Sequence, residues 1–313
     1  RVKTRGAEFI GEWAFYLIVV MISLALIKLF PYKLFAKTHK WIAVIYLLLV
    51  MHSIILMDIS YWSQAIGVIT GLFLVAGLIS AVMVLAGRVG RKRRASGVIE
   101  SLQYFEEMNI LETTISLDEN WRGHNSGQFA FVTFDDVEGP HPYTMASSWD
   151  ANDRRIMFIT KALGDYTHVL PERLKVGDVE GPYGKFTFDD GKSRQIWIGG
   201  DIGITPFIAR MKQLAGTDHD QSIDLIHTTP HLQASAKEKL IADTKAARVN
   251  LQLLIDKQDG KLNGERLRSS FPDWKSASIW FCGPKGFGEQ LHKDLMAHGM
   301  ASDSFHQELF DMR

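Results

Sequence analysis

Cysteine is nearly absent. The chain of 313 residues has one, Cys282. A single thiol excludes an internal disulfide, and it excludes a CxxC metal site or a cysteine-ligated iron–sulfur cluster. An excess of either charge is absent as well. Thirty-five basic and thirty-five acidic residues give a formal net charge of zero, so no nucleic-acid partner is expected. There is no low-complexity tract and no internal repeat. The first residue is Arg1, not Met, and no signal peptide precedes the first apolar run. The expectation is a chain that starts part-way through a longer protein. Its length suits two or three domains.

Apolar residues are abundant and unevenly placed. Three runs stand out: Trp13 to Phe30, Trp41 to Met57 and Ala65 to Gly87. Crossing a bilayer takes roughly 20 helical residues, with a range of about 17–25. The third run meets this, and the first two reach it if extended through Gly11 and His39. Three membrane spans are therefore expected over residues 1–90, and buried core helices are the competing reading. Lys33, Lys37 and Lys40 crowd the first loop, with Lys28 just before it, while the second loop, DISYWSQ, has no Lys or Arg. Arg88 and Arg91 to Arg94 follow the third run. The positive-inside rule puts both basic segments, and everything after them, in the cytoplasm, with lipid headgroups as partners. The basic tail Arg1–Arg5 falls on the opposite side in this topology.

From Ser96 the pattern changes. QFAFVTF (128–134), RIMFIT (155–160) and GKFTF (184–188) are short and β-rich, with turn residues between them. They predict a small antiparallel barrel over 96–191. Over 193–313 strands alternate with helices: QIWIGG, PFIARMKQL, IDLIHTT, ASAKEKLIADTKA, LQLLI, SIWFCG, GFGEQLHKDLMAHG. That order predicts a parallel α/β sheet. The expected architecture is multi-domain: transmembrane α-helices, an antiparallel β-barrel and an α/β parallel-sheet domain.

Six motifs follow one another in this half: HPYTMASS (141–148), KALGDYT (161–167), GPYG (181–184), GGDIGITPF (199–207), FCGP (281–284) and FHQELF (305–310). The ordered set resembles the ferredoxin–NADP reductase type of FAD- and NAD(P)-binding module. Together with the apolar segment, the chain resembles bacterial ferric reductases and NADPH oxidase-like flavocytochromes.

The residues themselves suit those cofactors. A flavin needs an aromatic or apolar face for its ring and donors for its polar edge. Tyr143 can stack on such a ring and Thr144 can bond its edge, beside Pro142 and Ser147. His141 stands where the resemblance puts a group facing phosphate or ribitol. Lys161 offers charge to a pyrophosphate, Gly164 lets backbone approach it, and Thr167 supplies donors, with Asp165 and Tyr166 between them. Lys161 has a plain alternative as a surface lysine. Gly181 and Gly184 permit a tight turn, which is either a linker or, as in relatives, a wall near the nicotinamide. Gly199, Gly200, Gly203, Thr205 and Pro206 join a strand to a helix and can bring N–H groups to a second pyrophosphate. Asp201 stands where the related pattern has glycine, so it is expected to point away from phosphate.

No arginine follows the second strand of the α/β domain. Lys237 or Lys239 is left to hold a 2′-phosphate, and the reading leans to NADH over NADPH. In relatives the residues matching Cys282, Gly283 and Pro284 lie near the nicotinamide, and a terminal aromatic, here Phe310, covers the flavin. Cys282 is equally readable as a buried small hydrophobe.

His39 and His52 flank the second apolar run and resemble one arm of a bis-histidine bundle for two haems b. Thirteen steps of about 1.5 Å put them roughly 20 Å apart along a helix. Each haem needs a second ligand, which missing N-terminal helices or a partner chain must supply. Polar packing is the competing reading of both histidines. The resemblance implies a multi-pass cell-membrane oxidoreductase that passes electrons from cytoplasmic NAD(P)H through FAD and haem to dioxygen or a ferric chelate outside. The alternatives are a membrane-tethered flavin reductase without haem that serves a separate protein acceptor, and a non-catalytic haem-anchoring subunit.

Overall fold

The computed structural model describes residues 2–27, 38–134, 139–161 and 177–308. The chain divides into two compact units, residues 1–92 and 93–312.

The first unit is helical: α1 (Val2–Leu26), α2 (Trp41–Leu56) and α3 (Ala65–Leu85). Before α3, a single turn over Ile59–Trp62 is capped by Asp58, whose carboxylate accepts from the Ser60 N–H at 2.8 Å. Small residues let the helices approach. Ala7, Gly11 and Ala14 recur every three or four positions on α1 and are buried. A β-carbon on Gly11 would overlap the His52 ring, and His52 Nδ1 lies 2.7 Å from the Ala7 carbonyl oxygen. Between α2 and α3, the Tyr46 hydroxyl donates to the Phe73 carbonyl at 3.1 Å, and its ring fills the notch at Gly77. Two of these helices are long and apolar enough to cross a membrane, Arg5–Leu26 and Ala65–Leu85. The middle helix has 16 residues, just short of the about 17 that a span requires. Thr38 and His39 are helical too but are set off from α2 by a turn at Lys40, and His39 is exposed. Lys28, Lys33 and Lys37 lie outside the described residues.

The second unit opens with β1 (Arg94–Phe105), β2 (Ile110–Leu117), β3 (Phe129–Thr133), β4 (His141–Thr144), β5 (Arg155–Lys161) and β6 (Gly177–Tyr183). They form an antiparallel sheet in the order β4-β3-β6-β1-β2-β5. Its two ends meet. Met145 bridges Phe158, and the Ala146 N–H donates to the Met157 carbonyl at 2.7 Å, which closes the barrel. The inward face follows the period of two expected of half-buried strands. On β2 Leu111, Thr113, Ile115 and Leu117 are buried, and their neighbours in sequence are not. Ile115, Ala130, Val132, Met145, Ile156, Phe158 and Val179 have no exposed surface. Burial of each larger side chain among them contributes roughly 1.5–3 kcal/mol.

The α/β half carries β7 (Arg194–Gly200), β8 (Ser222–Thr229), β9 (Asn250–Ile255), β10 (Ser278–Cys282) and β11 (Phe305–Glu308), all parallel, in the order β11-β10-β7-β8-β9. α4 (Thr205–Leu214) and α5 (Ala234–Ala246) cover one face of the sheet; α6 (Gly264–Ser270) and α7 (Lys285–Ala297) cover the other. Strands buried on both faces read as unbroken apolar runs, and every residue of β10 is buried. The strands and helices expected in this half are borne out. One expectation is corrected. GKFTF is not a barrel strand: beyond Gly184 the chain is irregular, and Phe188 adopts φ +60°. Phe186 and Phe188 leave the barrel and pack with Trp197, Phe207 and Trp280 of the α/β half. The larger apolar partner there outweighs the strand propensity of the segment.

Candidate active site

The carboxyl edge of the parallel sheet is where two glycine loops meet. β7 ends in Gly199–Gly200, a 3₁₀ turn covers Asp201–Ile204, and α4 starts at Thr205 with Pro206 in its first turn. The loop after β10, Cys282 to Pro284, lies against it. A β-carbon on Gly203 would land on the Cys282 carbonyl, and one on Gly200 would stand 3.0 Å from Pro284 Cδ. Backbone meets backbone here, so only glycine fits. Thr205 is buried and its hydroxyl donates to the Ile202 carbonyl at 2.7 Å; it shapes the turn. His227 of β8 was not anticipated from the sequence. It is buried, its Nδ1 is 3.0 Å from the Gly199 carbonyl, and burial holds its pKa below the usual imidazole value. Its only advance signal was a histidine inside an apolar strand.

The barrel supplies the opposite wall. On β4, Tyr143 pairs with Ala130 and His141 with Val132, so both stand on the face of those buried residues. The Tyr143 ring packs against Phe134 and Phe158 at centroid distances of 5.8 and 6.2 Å. Pro142 and Thr144 pair with Phe131 and Phe129 on the other face. There Phe129, Phe131 and Tyr183 form an aromatic platform with centroids 5.6–5.9 Å apart. The Arg93 guanidinium lies 5.0 Å above the Tyr183 ring, and the Tyr183 hydroxyl donates to Glu180 at 2.9 Å. Burial, then Glu180, pushes the Tyr183 phenol above its ordinary pKa. Ser147 is spent on the barrel: its Oγ accepts from the Met157 N–H at 3.0 Å. Gly164, Asp165, Tyr166, Thr167 and Phe310 lie outside the described residues.

Lys161 and Asp201 bring the two halves together. From a left-handed backbone (φ +53°) the Asp201 carboxylate pairs with the Lys161 ammonium. The one glycine position filled by an acid thus neutralises the lysine expected to meet phosphate.

GPYG, FCGP and FHQELF converge on a half-buried acid. Cys282 and Glu308 are in register on β10 and β11. Glu308 Oε1 lies 3.3 Å from where a β-carbon on Gly184 would sit, and at φ +100° that position favours glycine. The Glu308 Oε2 is buried with no hydrogen-bond partner among the described residues. Burial pushes its carboxyl up to about 8. Burial, helped by Glu308, pushes the Cys282 thiol up as well, so at neutral pH Cys282 is an inert buried thiol and not a nucleophile. Sequence reasoning missed Glu308. Its signal was an acid at the end of the terminal strand.

A cavity of about 440 Å³ runs from this edge along the barrel, within the range of small-molecule sites. Lys161, Met157, Asp201, Ile202 and His227 line one end, and Thr229 to Leu232 with Glu107, Met108 and Lys239 line the other.

Residues 97–187 match the family model described as an FAD-binding domain. The second unit has the fold of the ferredoxin–NADP reductases. Its Glu308 oxygen, unpartnered among the described residues, its half-buried aromatic platform and its paired glycine loops suit a flavin and a nicotinamide nucleotide. A flavohemoprotein of Oceanobacillus iheyensis is 24% identical over 160 residues, 47% of this chain and 39% of that protein. The chain therefore spans well under two thirds of that relative. The flavohemoglobin of Malassezia yamatoensis, solved with bound FAD and heme, superposes with a TM-score of 0.59 at 19% identity, over 90% of this chain and 80% of that one. A ferredoxin–NADP⁺ reductase from Neisseria gonorrhoeae, with bound FAD and NADP, gives 0.57 at 15% identity, over 69% of this chain and 98% of that one. At these identities the likeness establishes the fold.

Proposed function

We propose that the chain is a membrane flavocytochrome of the ferric reductase and NADPH oxidase type, which carries electrons from cytoplasmic NAD(P)H through FAD and haem to dioxygen or a ferric chelate outside. The observation that carries the reductase part is the meeting of the Gly199–Pro206 loop with the Cys282–Pro284 loop, whose Cys282 is in register with Glu308, the half-buried acid beside the Gly181–Gly184 turn.

The chemistry that bound FAD supplies is acceptance of a hydride and release of single electrons. The chain's residues do the positioning. The Gly199–Pro206 turn that opens α4 would seat anionic phosphate. Phe129, Phe131, Tyr183 and Pro142 offer an apolar face to a planar ring. Glu308, held protonated at neutral pH by burial, keeps a proton on its carboxyl at the junction of barrel and sheet.

The membrane part rests on exposed apolar surface. Leu72 and Phe73 are 68% and 72% exposed on α3, and Leu26 is 77% exposed on α1. A helix apolar on all sides and unburied is at home in lipid. The haem part rests on His52. The Ala7 carbonyl can only accept, so His52 Nδ1 donates to it and Nε2 is the nitrogen left to meet an iron.

A specific observation also favours the tethered reductase without haem. Among the described residues of the first unit, His39 and His52 are the only histidines, and both precede or lie on the same helix. An absorbance spectrum of the full-length protein with quantified haem separates the two. A Soret band lost in His52→Ala is the expected result, and a flavin spectrum alone sinks the haem reading while leaving the reductase.

A further inference from the structure

One end of the 440 Å³ cavity decides which nicotinamide nucleotide fits. The cavity joins the Gly199–Pro206 loop to the carboxyl end of the adjacent strand, β8. In parallel α/β sheets a pyrophosphate lies on the first loop and the adenosine ribose reaches the end of the next strand. A 2′-phosphate on that ribose needs a free cation. An unphosphorylated ribose needs acceptors for its hydroxyls.

Among the described residues the β8 end has acceptors and no free cation, and no arginine lines the cavity. Two basic side chains do reach it, His231 and Lys239, and each is met by a carboxylate from the barrel. His231 Nε2 lies 3.3 Å from Glu107 Oε2. Lys239 Nζ donates to both oxygens of Glu112, at 3.1 and 2.9 Å. Lys237 is exposed and does not line the cavity. The carboxylates arrive on the β1–β2 hairpin, whose tip packs on the start of α5, with the Gln233 N–H 3.5 Å from Met108 Sδ. Beside it Gln233 Oε1 is a buried acceptor without a partner among the described residues. Along the whole cavity, four carboxylates (Glu107, Glu112, Asp201, Asp243) face three lysines (Lys161, Lys212, Lys239). Two of those lysines, Lys161 and Lys239, are paired to carboxylates. The third, Lys212, is drawn below its usual pKa by burial, and its near neighbour is Met157 Sδ at 3.6 Å.

We infer that the module selects NADH, and that Glu107 and Glu112 are its specificity determinants: they engage the basic side chains a 2′-phosphate would need and leave an acceptor-lined seat for ribose hydroxyls. The inference rests on the nicotinamide-dependent reading above. A dianion brought beside two carboxylates is strongly disfavoured.

The test is reduction of bound flavin in the full chain by NADH and by NADPH, with calorimetric titration of AMP against adenosine 2′,5′-bisphosphate as a readout independent of turnover. NADH is expected to lead in kcat/KM by about a hundredfold, about tenfold per opposing carboxylate. Glu107→Gln with Glu112→Gln narrows that ratio at least tenfold and tightens the bisphosphate. Glu107→Lys, at an exposed turn where folding is not at stake, narrows it alone. Glu106→Gln, outside the cavity, leaves it in place. Equal use of both nucleotides, or a ratio unmoved by these variants, overturns the selectivity and spares the reductase. Failure of both nucleotides to reduce the flavin overturns the reductase reading itself, and the selectivity with it.

Discussion

Glu308 shows how one burial can set both chemistry and stability. Its carboxyl has an ordinary value of 4.5 and is pushed to about 8 in the fold by loss of solvent. Below 4.5 the folded and unfolded chains both hold the proton, and the group contributes nothing to the difference. Between 4.5 and about 8 the unfolded chain has lost a proton that the folded chain keeps, so stability falls as pH rises through that window. Above it the full cost is present. Glu308→Gln removes the titration. The gap in melting temperature between Glu308→Gln and the parent is expected to be small at the acid end of the window and to widen steadily towards its alkaline end. A constant gap would mean that the acid is solvated and has no part in the buried junction. Glu308 was not legible from sequence, because an acid two residues before a terminal aromatic reads as surface. Only the pairing of β10 with β11, which sets it opposite Cys282, buries it.

At the scale of elements, the two glycine loops form a single joint. Gly203 sits so close to the Cys282 carbonyl that a methyl group has no room, and both sides of the contact are backbone, which cannot swing aside as a side chain can. Gly203→Ala is expected to cost roughly 1–3 kcal/mol, the range for overpacking a tight site, and to weaken nucleotide binding, since the loop must move to make room. Urea denaturation and calorimetry read the two effects. A variant with parental stability would show that the joint is looser than it stands. The glycines of this joint were legible because a strand, a glycine run and Pro206 in sequence order signal a strand-to-helix turn. That GKFTF leaves the barrel was not. Alternation marked it as a strand, while the aromatic cluster that captures Phe186 and Phe188 is assembled from residues up to 94 positions away.

At the scale of the molecule, the division at residues 92 and 93 separates two kinds of surface. The second unit has its own buried cores in both barrel and sheet. The first exposes apolar side chains along α1 and α3. Residues 93–313 alone are expected to fold without detergent and to bind FAD, as measured by gel filtration and flavin absorbance. Residues 1–92 are expected to need detergent or lipid. An aggregating 93–313 fragment would show that the module depends on the helices for its core.

What the chain's order of residues determined by itself is whatever depends on local rules. Apolar runs, period-two strands, glycine turns and helix-start prolines announce helices, a barrel and a parallel sheet in the right succession, because each follows from the conformations open to a few neighbouring residues. What only the tertiary structure decided is which distant groups meet. Asp201 is paired with Lys161, Glu107 with His231, Glu112 with Lys239, and Glu308 lies beside Cys282. Those meetings set charge and protonation, and they depend on strand register and on how the barrel packs against the sheet. Neither is encoded in the spacing of residues along the chain.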